Sequence, residues 1–534
     1  MAQRGQFTHI PNVLNGQRWW KIPGIVKLNW FISVIFVGQL LNGFDDGITG
    51  NLQAYPDWHE ALGNPSTSAI GLLNASAYLS GLVTAPVAGY VADLFGRRWC
   101  IRWSAFCALV GTALGCAAGS AKNGYALFIV SRIVFGSGLA FSLMISPVII
   151  QELAHPFQRT TAAALFNPNY AAGSVCCALI AFGTSYMSGH WSWRIIYIVQ
   201  LVPALYLMIA IQFVPETPRW LLAKGREQEA LDFLVKYHGN GDPNDELVLF
   251  EFEEMKEALE KEKELKQETW GQIFGTKGNR HRLSIVVLIV VCQNLSGTAI
   301  IGQYYTQILA LVGITGTTKQ TGINVGLTCT VWLGAMIGTW IANKLPRRTH
   351  LMSVWSALIC VAIAFTATAA RYEITGSKAA GLANVAFLYF YDFVFFLVCG
   401  PLFFSYYVEC LSYSMRAKGA LVWGILNKLI SVFNAYVNTV ALDHIGWKYY
   451  CVYDALLVCQ LVGMYFLCVE TKGYTLEEVA ILFDGAAAAP TVEAAPFEAG
   501  VHHGRVASAG SAEKTAARGG AAGGAVKEVD GESY

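Results

Sequence analysis

Twelve long apolar segments run through this chain and leave few ways for it to fold. Hydrophobic residues make up 54% of the 534 positions and charged residues only 14%, which is too apolar for an ordinary soluble protein. A helix needs about 20 mostly apolar residues to cross a bilayer, where each backbone must satisfy its own hydrogen bonds. The sequence therefore predicts an all-α membrane protein, with spans near residues 27–50, 69–92, 99–120, 126–149, 161–186, 193–214, 283–312, 321–342, 350–370, 384–411, 419–441 and 448–469.

Charged motifs of the first half of the chain return in the second half. Glu152 is followed seven residues later by Arg159, and Glu409 is followed seven residues later by Arg416. The two glutamates lie almost half the chain length apart. A repeat of this period within membrane-spanning sequence is typical of secondary transporters. It predicts two pseudo-symmetric six-helix bundles.

The repeat divides the chain into five predicted segments. A cytoplasmic N-terminal segment, an N-terminal six-helix bundle, a cytoplasmic helical linker, a C-terminal six-helix bundle and a cytoplasmic tail occupy residues 1–26, 27–214, 215–282, 283–469 and 470–534. The linker is rich in paired charges, and we expect it to form one or two amphipathic helices. The tail is rich in Ala and Gly and poor in large apolar residues after about residue 485, so we expect disorder there.

Lys and Arg in the short loops set the expected orientation. Arg97, Arg98 and Arg102 cluster after the second span, whereas residues 51–68, after the first span, contain neither Lys nor Arg. This bias places both termini in the cytoplasm. It predicts a multi-pass protein, and we expect it in the plasma membrane.

Composition also limits the classes of partner and chemistry. The net charge is +1, which gives no basis for nucleic-acid binding. The 13 Cys residues mostly lie inside spans and are typical of small buried residues rather than of a disulfide framework or a metal site. The sequence has no visible arrangement of a nucleophile with a base. We therefore expect a monomer that is not an enzyme and binds no cofactor or metal.

Besides the two Glu-to-Arg units, short motifs stand in a fixed order along the chain: GFDDGITG (43–50), GYVADLFGRR (89–98), SRIVFGSGLA (131–140), PETPRWL (215–221), QNLSG (293–297) and ETKGYTLEE (470–478). Together they resemble the sugar porter family of the major facilitator superfamily. The resemblance covers nearly all of residues 25–482, and some details are most similar to the fungal branch that includes lactose permeases. It implies two six-helix halves, a sugar site at the membrane midplane between them, and transport by alternating access.

Asp45 and Arg132 are charged residues inside the first and fourth spans. A charged side chain at the bilayer centre costs about 2.5–3.5 kcal/mol on insertion scales, so a residue of this kind is expected to have a function. By resemblance to proton-coupled members of the family, the two residues form a pair that protonation of the acid breaks. The alternative is a structural pair in a protein that only facilitates diffusion, since the same Asp occurs in such members.

By the same resemblance, charged residues at the cytoplasmic helix ends form salt bridges between the halves that hold the outward-facing state. The alternative is that they only set topology, but topology does not require glutamates at fixed positions between basic residues. Asn343 and Pro346 stand where the family has Asp and Gly, which predicts a weaker network in the second half. The predicted gating residues are Asp93, Arg97, Arg98, Glu152, Arg159, Glu216 and Arg219, mirrored by Arg347, Arg348, Glu409, Arg416 and Glu470.

Amide and aromatic side chains supply the predicted sugar contacts, because a sugar needs polar partners for its hydroxyls and aromatic faces for its C–H surface. Ala299 and Val331 stand where the family has Asn, so this site holds fewer amides than a typical hexose site. Each polar residue has an alternative role as a hydrogen-bond partner between helices. By resemblance, the contacts are Asn167, Gln293, Asn294, Gln303, Tyr304, Phe404, Asn427 and Asn434.

The function that these observations favour is proton-coupled transport of a mono- or disaccharide. The alternatives are a sugar uniporter, a non-transporting sugar sensor on the same fold, and a transporter of a polyol or of an acid such as quinate. The short Ala/Gly-rich tail favours transport over sensing, because sensors of this family usually carry a long signalling tail. The altered set of amides keeps the polyol or acid alternative open.

Overall fold

The computed structural model describes residues 18–265, 274–342, 344–399, 402–411 and 415–472, with residues 479, 482 and 483. Within these ranges the side chains of residues 160, 261–265, 404, 416 and 417 are not described. All of this belongs to the first of two compact units, which ends at Ala489. It contains twelve helices that are long and apolar enough to cross a membrane. The predicted all-α membrane fold with twelve spans is confirmed, and the tail for which we predict disorder lies outside the described residues.

The helices of the first half alternate in direction and are joined by short turns. The side chain of Ser66 accepts a hydrogen bond from the amide of Ala69 and caps the second span, and proline occupies the first turn of the first and fifth spans. The helices are Pro23–Leu52 (α1), Pro56–Ala61 (α2), Thr67–Phe95 (α3), Arg97–Ala117 (α4), Gly124–Leu153 (α5), Pro156–Thr184 (α6) and Trp191–Ala210 (α7).

The linker and the second half follow in the same manner. The linker helices are Pro218–Ala223 (α8), Glu227–Tyr237 (α9) and Glu246–Leu265 (α10). The helices of the second half are Lys277–Asn294 (α11), Thr298–Leu311 (α12), Thr317–Ala342 (α13), Arg347–Thr375 (α14), Lys378–Cys399 (α15), Phe403–Cys410 (α16), Arg416–Ile445 (α17) and Lys448–Leu467 (α18). α11 and α12 together form the seventh span.

The seventh span is broken, although the sequence predicts one continuous helix over residues 283–312. α11 ends at Asn294, and α12 begins after Gly297, whose φ of 94° lies in the left-handed region that favours glycine. A Cβ at Gly297 would also lie 2.7 Å from the hydroxyl oxygen of Tyr391. Hydropathy does not detect this break, because the residues on both sides of it remain apolar.

The linker is built into the core of the first half. Phe233 and Tyr237 of α9 are buried in the same apolar cluster as residues of α1, α5 and α7. The rings of Phe31 and Tyr237 meet edge to face, with their centroids 5.4 Å apart. A Cβ at Gly24 would lie 3.1 Å from the carbonyl oxygens of Lys236 and Tyr237, so α1 and α9 approach closely there.

Successive spans begin and end at two faces of the molecule. One face, which we call the arginine-rich end, holds residues 93–98, 152–159 and 344–348. The face at the other ends of the spans, which we call the opposite end, holds residues 51–66 and 312–317. The predicted gating charges all lie at or beside the arginine-rich end.

The two halves are bonded to each other at the opposite end. The side-chain oxygen of Asn51 on α1 accepts hydrogen bonds from Tyr305, at 2.9 Å, and from Asn324, at 3.0 Å. The side-chain amide of Gln53 donates to the carbonyl oxygen of Gln303 at 2.9 Å. These contacts close the space between the halves at this end.

Candidate functional site

A buried ion pair lies inside the first half. Asp45 on α1 and Arg132 on α5 are 2.7 Å apart, from carboxylate Oδ1 to guanidinium Nη1, with 2% and 4% of their side chains exposed. Gln200 on α7 donates a further hydrogen bond to the same oxygen at 3.4 Å. Side chains from α5 and α7 therefore contact the Asp45 carboxylate of α1. Loss of either charge would leave the other buried and uncompensated.

The second carboxylate oxygen of Asp45, Oδ2, has no hydrogen-bond partner among the described residues. A carboxylate with one oxygen paired and one free can accept a proton on the free oxygen while the arginine contact still stands. Protonation then removes the charge that balances Arg132 and weakens the attraction between α1 and α5. The geometry thus permits a charge switch within the first half.

Polar side chains of α11 and α17 form what we call the amide cluster. Asn427 donates to the side-chain oxygen of Gln293 at 3.4 Å. Ser431 donates to the side-chain oxygen of Asn294 at 3.1 Å, and Asn434 donates to the Asn294 carbonyl oxygen at 2.6 Å. The structure therefore brings four of the eight predicted sugar contacts together. The hydrogen bonds that these side chains make to one another are also what we expect if their role is to bond α11 to α17 rather than to bind a sugar.

Gln303 and Tyr304 follow each other on α12 but have different surroundings. Gln303 is half-buried and donates to the Tyr78 hydroxyl at 2.7 Å. Tyr304 is fully buried; its hydroxyl donates to the carbonyl oxygen of Ala435 at 2.6 Å and accepts from Asn74 at 2.9 Å. Tyr304 is not accessible to a sugar in this conformation, because it is occupied in joining helices of both halves. Its role as a sugar contact stays a prediction.

The two remaining predicted contacts lie on other helices. Asn167 is half-buried on α6, directly before Pro168, which lies inside that helix. Phe404 lies on α16, and its side chain is outside the part of the chain that the structure describes.

Sequence reasoning missed a second set of charges, at the interface between the halves. Asp46 on α1 accepts hydrogen bonds from the hydroxyls of Tyr78, at 3.2 Å, and Tyr170, at 2.7 Å. The ammonium of Lys428 on α17 lies 5.5 Å from the centre of the Tyr78 ring. A signal for them exists in the sequence, because Asp46 and Lys428 are charged residues within predicted spans, and such residues are rare at membrane depth.

At the arginine-rich end, Arg97 connects two carboxylates of the first half. Its guanidinium lies 3.3 Å from Glu152 and 3.2 Å from Asp93. Glu216 accepts the backbone amides of Arg97 and Arg98 at 3.2 and 3.1 Å, at the N-terminus of α4, where a negative charge is stabilised. Burial raises the pKa of Glu216, although these amide hydrogen bonds act in the opposite direction.

The second half repeats this arrangement. Arg347 lies 3.2 Å from Glu409, and Glu470 accepts the backbone amides of Arg347 and Arg348 at 2.8 and 3.0 Å. The hydroxyl of Thr471 donates to Glu409 at 2.7 Å. The internal repeat therefore extends to the pairing of individual side chains.

These charge pairs differ from the expected salt bridges between the halves. Each pair just described joins residues of one half, or of one half and the linker or tail segment that directly follows it in the chain. Arg159 lies 3.2 Å from Glu251 of the linker rather than beside Arg97. The physical reason is that rocking of the two halves closes one end while it separates the other, and here the opposite end is closed. Arg219 lies at the start of α8. Asn343 and the side chain of Arg416 lie outside the described part of the chain.

Glu251 also belongs to a buried cluster between the linker and the first half. His238 lies 2.5 Å from Glu251 through Nδ1 and 3.2 Å from the Leu153 carbonyl oxygen through Nε2. The ring of His155 lies 5.2 Å from that of His238. Burial lowers the pKa of His155 to about 3, and His238 beside it acts in the same direction. Burial opposes ionisation of Glu251, but its neighbours His238 and Arg159 hold its pKa below the usual range.

Twelve spans in two halves, a repeated charge motif at one end and a polar cluster between helices define a transporter of the major facilitator fold. Among the described residues, no group of three or more His, Cys, Asp or Glu is arranged to hold a metal ion. Residues 31–483 match the family described as "Sugar (and other) transporter", so the chain belongs to this family. The resemblance to the sugar porters is thereby confirmed.

Relatives and solved structures similar to this chain agree with that membership. The high-affinity glucose transporter of Kluyveromyces lactis is 26% identical over 86% of this chain and 85% of its own length. The hexose transporter HXT10 of Saccharomyces cerevisiae is 27% identical over 78% of this chain and 75% of its own. The inward-open structure of the xylose transporter XylE from E. coli has a TM-score of 0.70 at 19% identity, over 85% of this chain and 100% of that one. The likeness to XylE confirms the fold.

Proposed function

We propose that this protein carries a sugar across the membrane by alternating access, with proton movement coupled to it through Asp45 and Arg132. The observation that carries the proposal is the buried ion pair, in which one oxygen of Asp45 has no partner among the described residues. The substrate class is supported by the relatives, which are described as glucose and hexose transporters. XylE, which shares the fold, is described as a proton:xylose symporter.

The coupling rests on the position of Asp45 in α1. Asp45 pairs with Arg132 in the first half, and Asn51, less than two helical turns further along α1, bonds to Tyr305 and Asn324 of the second half. A change in the charge of Asp45 therefore acts on the helix that closes the opposite end. Protonation from one side and release to the other would tie proton movement to the exchange between states.

The amide cluster is the proposed sugar site, together with Gln303, Asn167 and Phe404. Its side chains come from α11 and α17, and ligands of such transporters bind near the bilayer midplane beside broken helices. The break between α11 and α12 lies directly after Asn294. Hydroxyls of a bound sugar would replace the hydrogen bonds that these amides make to one another.

We infer that the arginine-rich end and both termini face the cytoplasm and that the protein resides in the plasma membrane as a monomer. The basic residues of the loops support this orientation. With the opposite end closed, the structure then corresponds to an inward-facing transporter. The charge clusters of Arg97 and Arg347 would come together when the protein turns outward, and the remaining gating residues would act with them.

Uptake of a panel of radiolabelled sugars by cells without their own sugar carriers tests the proposal. We expect accumulation above the external concentration, and alkalinisation of a weakly buffered medium when sugar is added. Uptake without alkalinisation, unchanged between about pH 5 and 8, would contradict the coupling and indicate a uniporter. A surface-expressed protein that takes up no sugar would contradict the function itself.

A further inference from the structure

Lys428 is a charged residue to which the proposed cycle gives no role. It lies near the middle of α17, directly after Asn427 of the amide cluster, and is half-buried. Its side chain crosses the interface to α3, because a Cβ at Gly81 would lie 3.3 Å from its Cε and 3.7 Å from its Nζ. The ammonium lies over the Tyr78 ring, 5.5 Å from the centroid. Among the described residues, no carboxylate lies within ion-pair distance of it.

Asp46 is connected to Lys428 through Tyr78 but does not pair with it. The hydroxyls of Tyr78 and Tyr170 donate to different oxygens of the Asp46 carboxylate, at 3.2 and 2.7 Å. The Tyr78 hydroxyl in turn accepts a hydrogen bond from Gln303 at 2.7 Å. The Asp46 carboxylate is thus supplied with hydrogen-bond donors by the protein. Asp46 also acts on the Lys428 ammonium through space, but no carboxylate among the described residues lies within ion-pair distance of the ammonium.

A charged side chain at membrane depth is unfavourable unless it pairs or faces a water-filled or ligand-filled space. Lys428 lies where α17 meets α3, which is the interface between the halves, and next to side chains that suit hydroxyl groups. Because no described carboxylate contacts the ammonium of Lys428, a negatively charged group of a ligand can pair with it there. A carboxylate is the group that an ammonium binds most strongly among the functional groups of small sugars.

We propose that the preferred substrate is a polyhydroxylated carboxylic acid, such as an aldonic acid, a uronic acid or a cyclitol carboxylate, and that Lys428 binds its carboxylate while the amide cluster binds its hydroxyls. This inference rests on the proposed function and narrows its substrate class. A neutral hexose would fill the amide cluster but leave the ammonium unpaired. One proton carried with a monoanion moves no net charge across the membrane, so the coupling by Asp45 is compatible with such a substrate.

Uptake of radiolabelled gluconate, galacturonate, quinate and glucose by cells that express the full chain tests this assignment. We expect the wild type to take up at least one acid with a lower KM than glucose. Lys428→Met should raise the KM for that acid by about tenfold or more, because a charge-assisted hydrogen bond is lost, and should leave glucose uptake within about twofold. Lys428→Arg should keep acid uptake. Lys448→Met, an exposed lysine at the start of α18, is the matched control.

Each result separates this inference from the proposed function. If the wild type takes up glucose, and the acids are neither transported nor able to inhibit glucose uptake, the inference is overturned and the proposed function stands. If no compound is taken up, both are overturned. If Lys428→Met lowers acid and glucose uptake equally and Asp46→Asn in the same chain restores both, the two residues are counter-ions and the inference fails. Inhibition of glucose uptake by the acids is measured on the wild type alone, so it tests whether the site prefers an acid even if the Lys428 variants do not reach the membrane.

Discussion

At the scale of single residues, the proposed coupling of proton movement to transport depends on the charge of Asp45. Asp45→Asn replaces the carboxylate with an amide of the same shape and mimics the protonated acid. We expect accumulation against a gradient to be lost while exchange or downhill uptake persists, because only the coupling step depends on this charge. The measurements are sugar accumulation and the alkalinisation that accompanies it. Asp443→Asn, at an exposed acid near the end of α17, is the control and should change neither. Normal accumulation by Asp45→Asn would assign the pair a structural role.

The side chains of the amide cluster should differ from polar residues elsewhere in their effect on affinity. Gln293→Ala removes an amide that can bond a sugar hydroxyl, at a cost of about 1–3 kcal/mol. We expect the apparent KM to rise about tenfold or more, with surface expression unchanged. The exposed linker residue Gln228, mutated to Ala, provides the control. Wild-type uptake by Gln293→Ala would remove this residue from the site.

At the scale of helices, the sequence predicts where the spans are but not where they break. The twelve apolar segments carry enough hydropathy to be found, and the Glu-to-Arg motifs identify the charge clusters at their ends. The break after Asn294 depends on the backbone of Gly297, and the partner of Arg159 is Glu251, which lies in a helix of the linker. Neither follows from hydropathy or motif spacing, because both depend on contacts between segments distant in sequence.

The docking of the linker on the first half should weaken in acid. The pKa of buried His155 is about 3, below its usual 6.5. As the pH falls, the imidazole is therefore protonated in the unfolded chain before it is protonated in the folded protein. The stability contributed by neutral His155 is present in full well above pH 6.5 and is lost as the pH falls toward 3; at pH 5.5 the loss is on the order of 1 kcal/mol. Glu251, whose pKa is also lowered, acts in the same direction at lower pH.

Hydrogen exchange in α9 and α10 of the purified protein measures this effect. We expect lower protection factors, which are exchange rates corrected for the intrinsic pH dependence of amide exchange, at about pH 5.5 than at pH 7.5 in the wild type. We expect a smaller pH dependence of these factors in His155→Gln, which has no imidazole to protonate. His444→Gln, at an exposed histidine near the end of α17, should behave as the wild type. Equal protection factors at both pH values in the wild type would contradict the assignment.

At the scale of the whole molecule, one side chain takes part in two of the bonds that close the opposite end. Asn51→Ala leaves the hydroxyl of Tyr305 and the amide of Asn324 without the oxygen to which both donate. Because buried polar groups without partners are costly, we expect this end to open more often.

Cys177 is a native reporter of this opening, since its thiol is fully buried 3.7 Å from the Asn51 side chain. Its labelling by a membrane-impermeant maleimide should become several times faster, and Cys177→Ser in the same background identifies the reacting thiol. An unchanged rate would mean that the other contacts suffice to hold the end closed. A faster rate would imply that the charge clusters of Arg97 and Arg347 spend more time together, since the two ends open alternately.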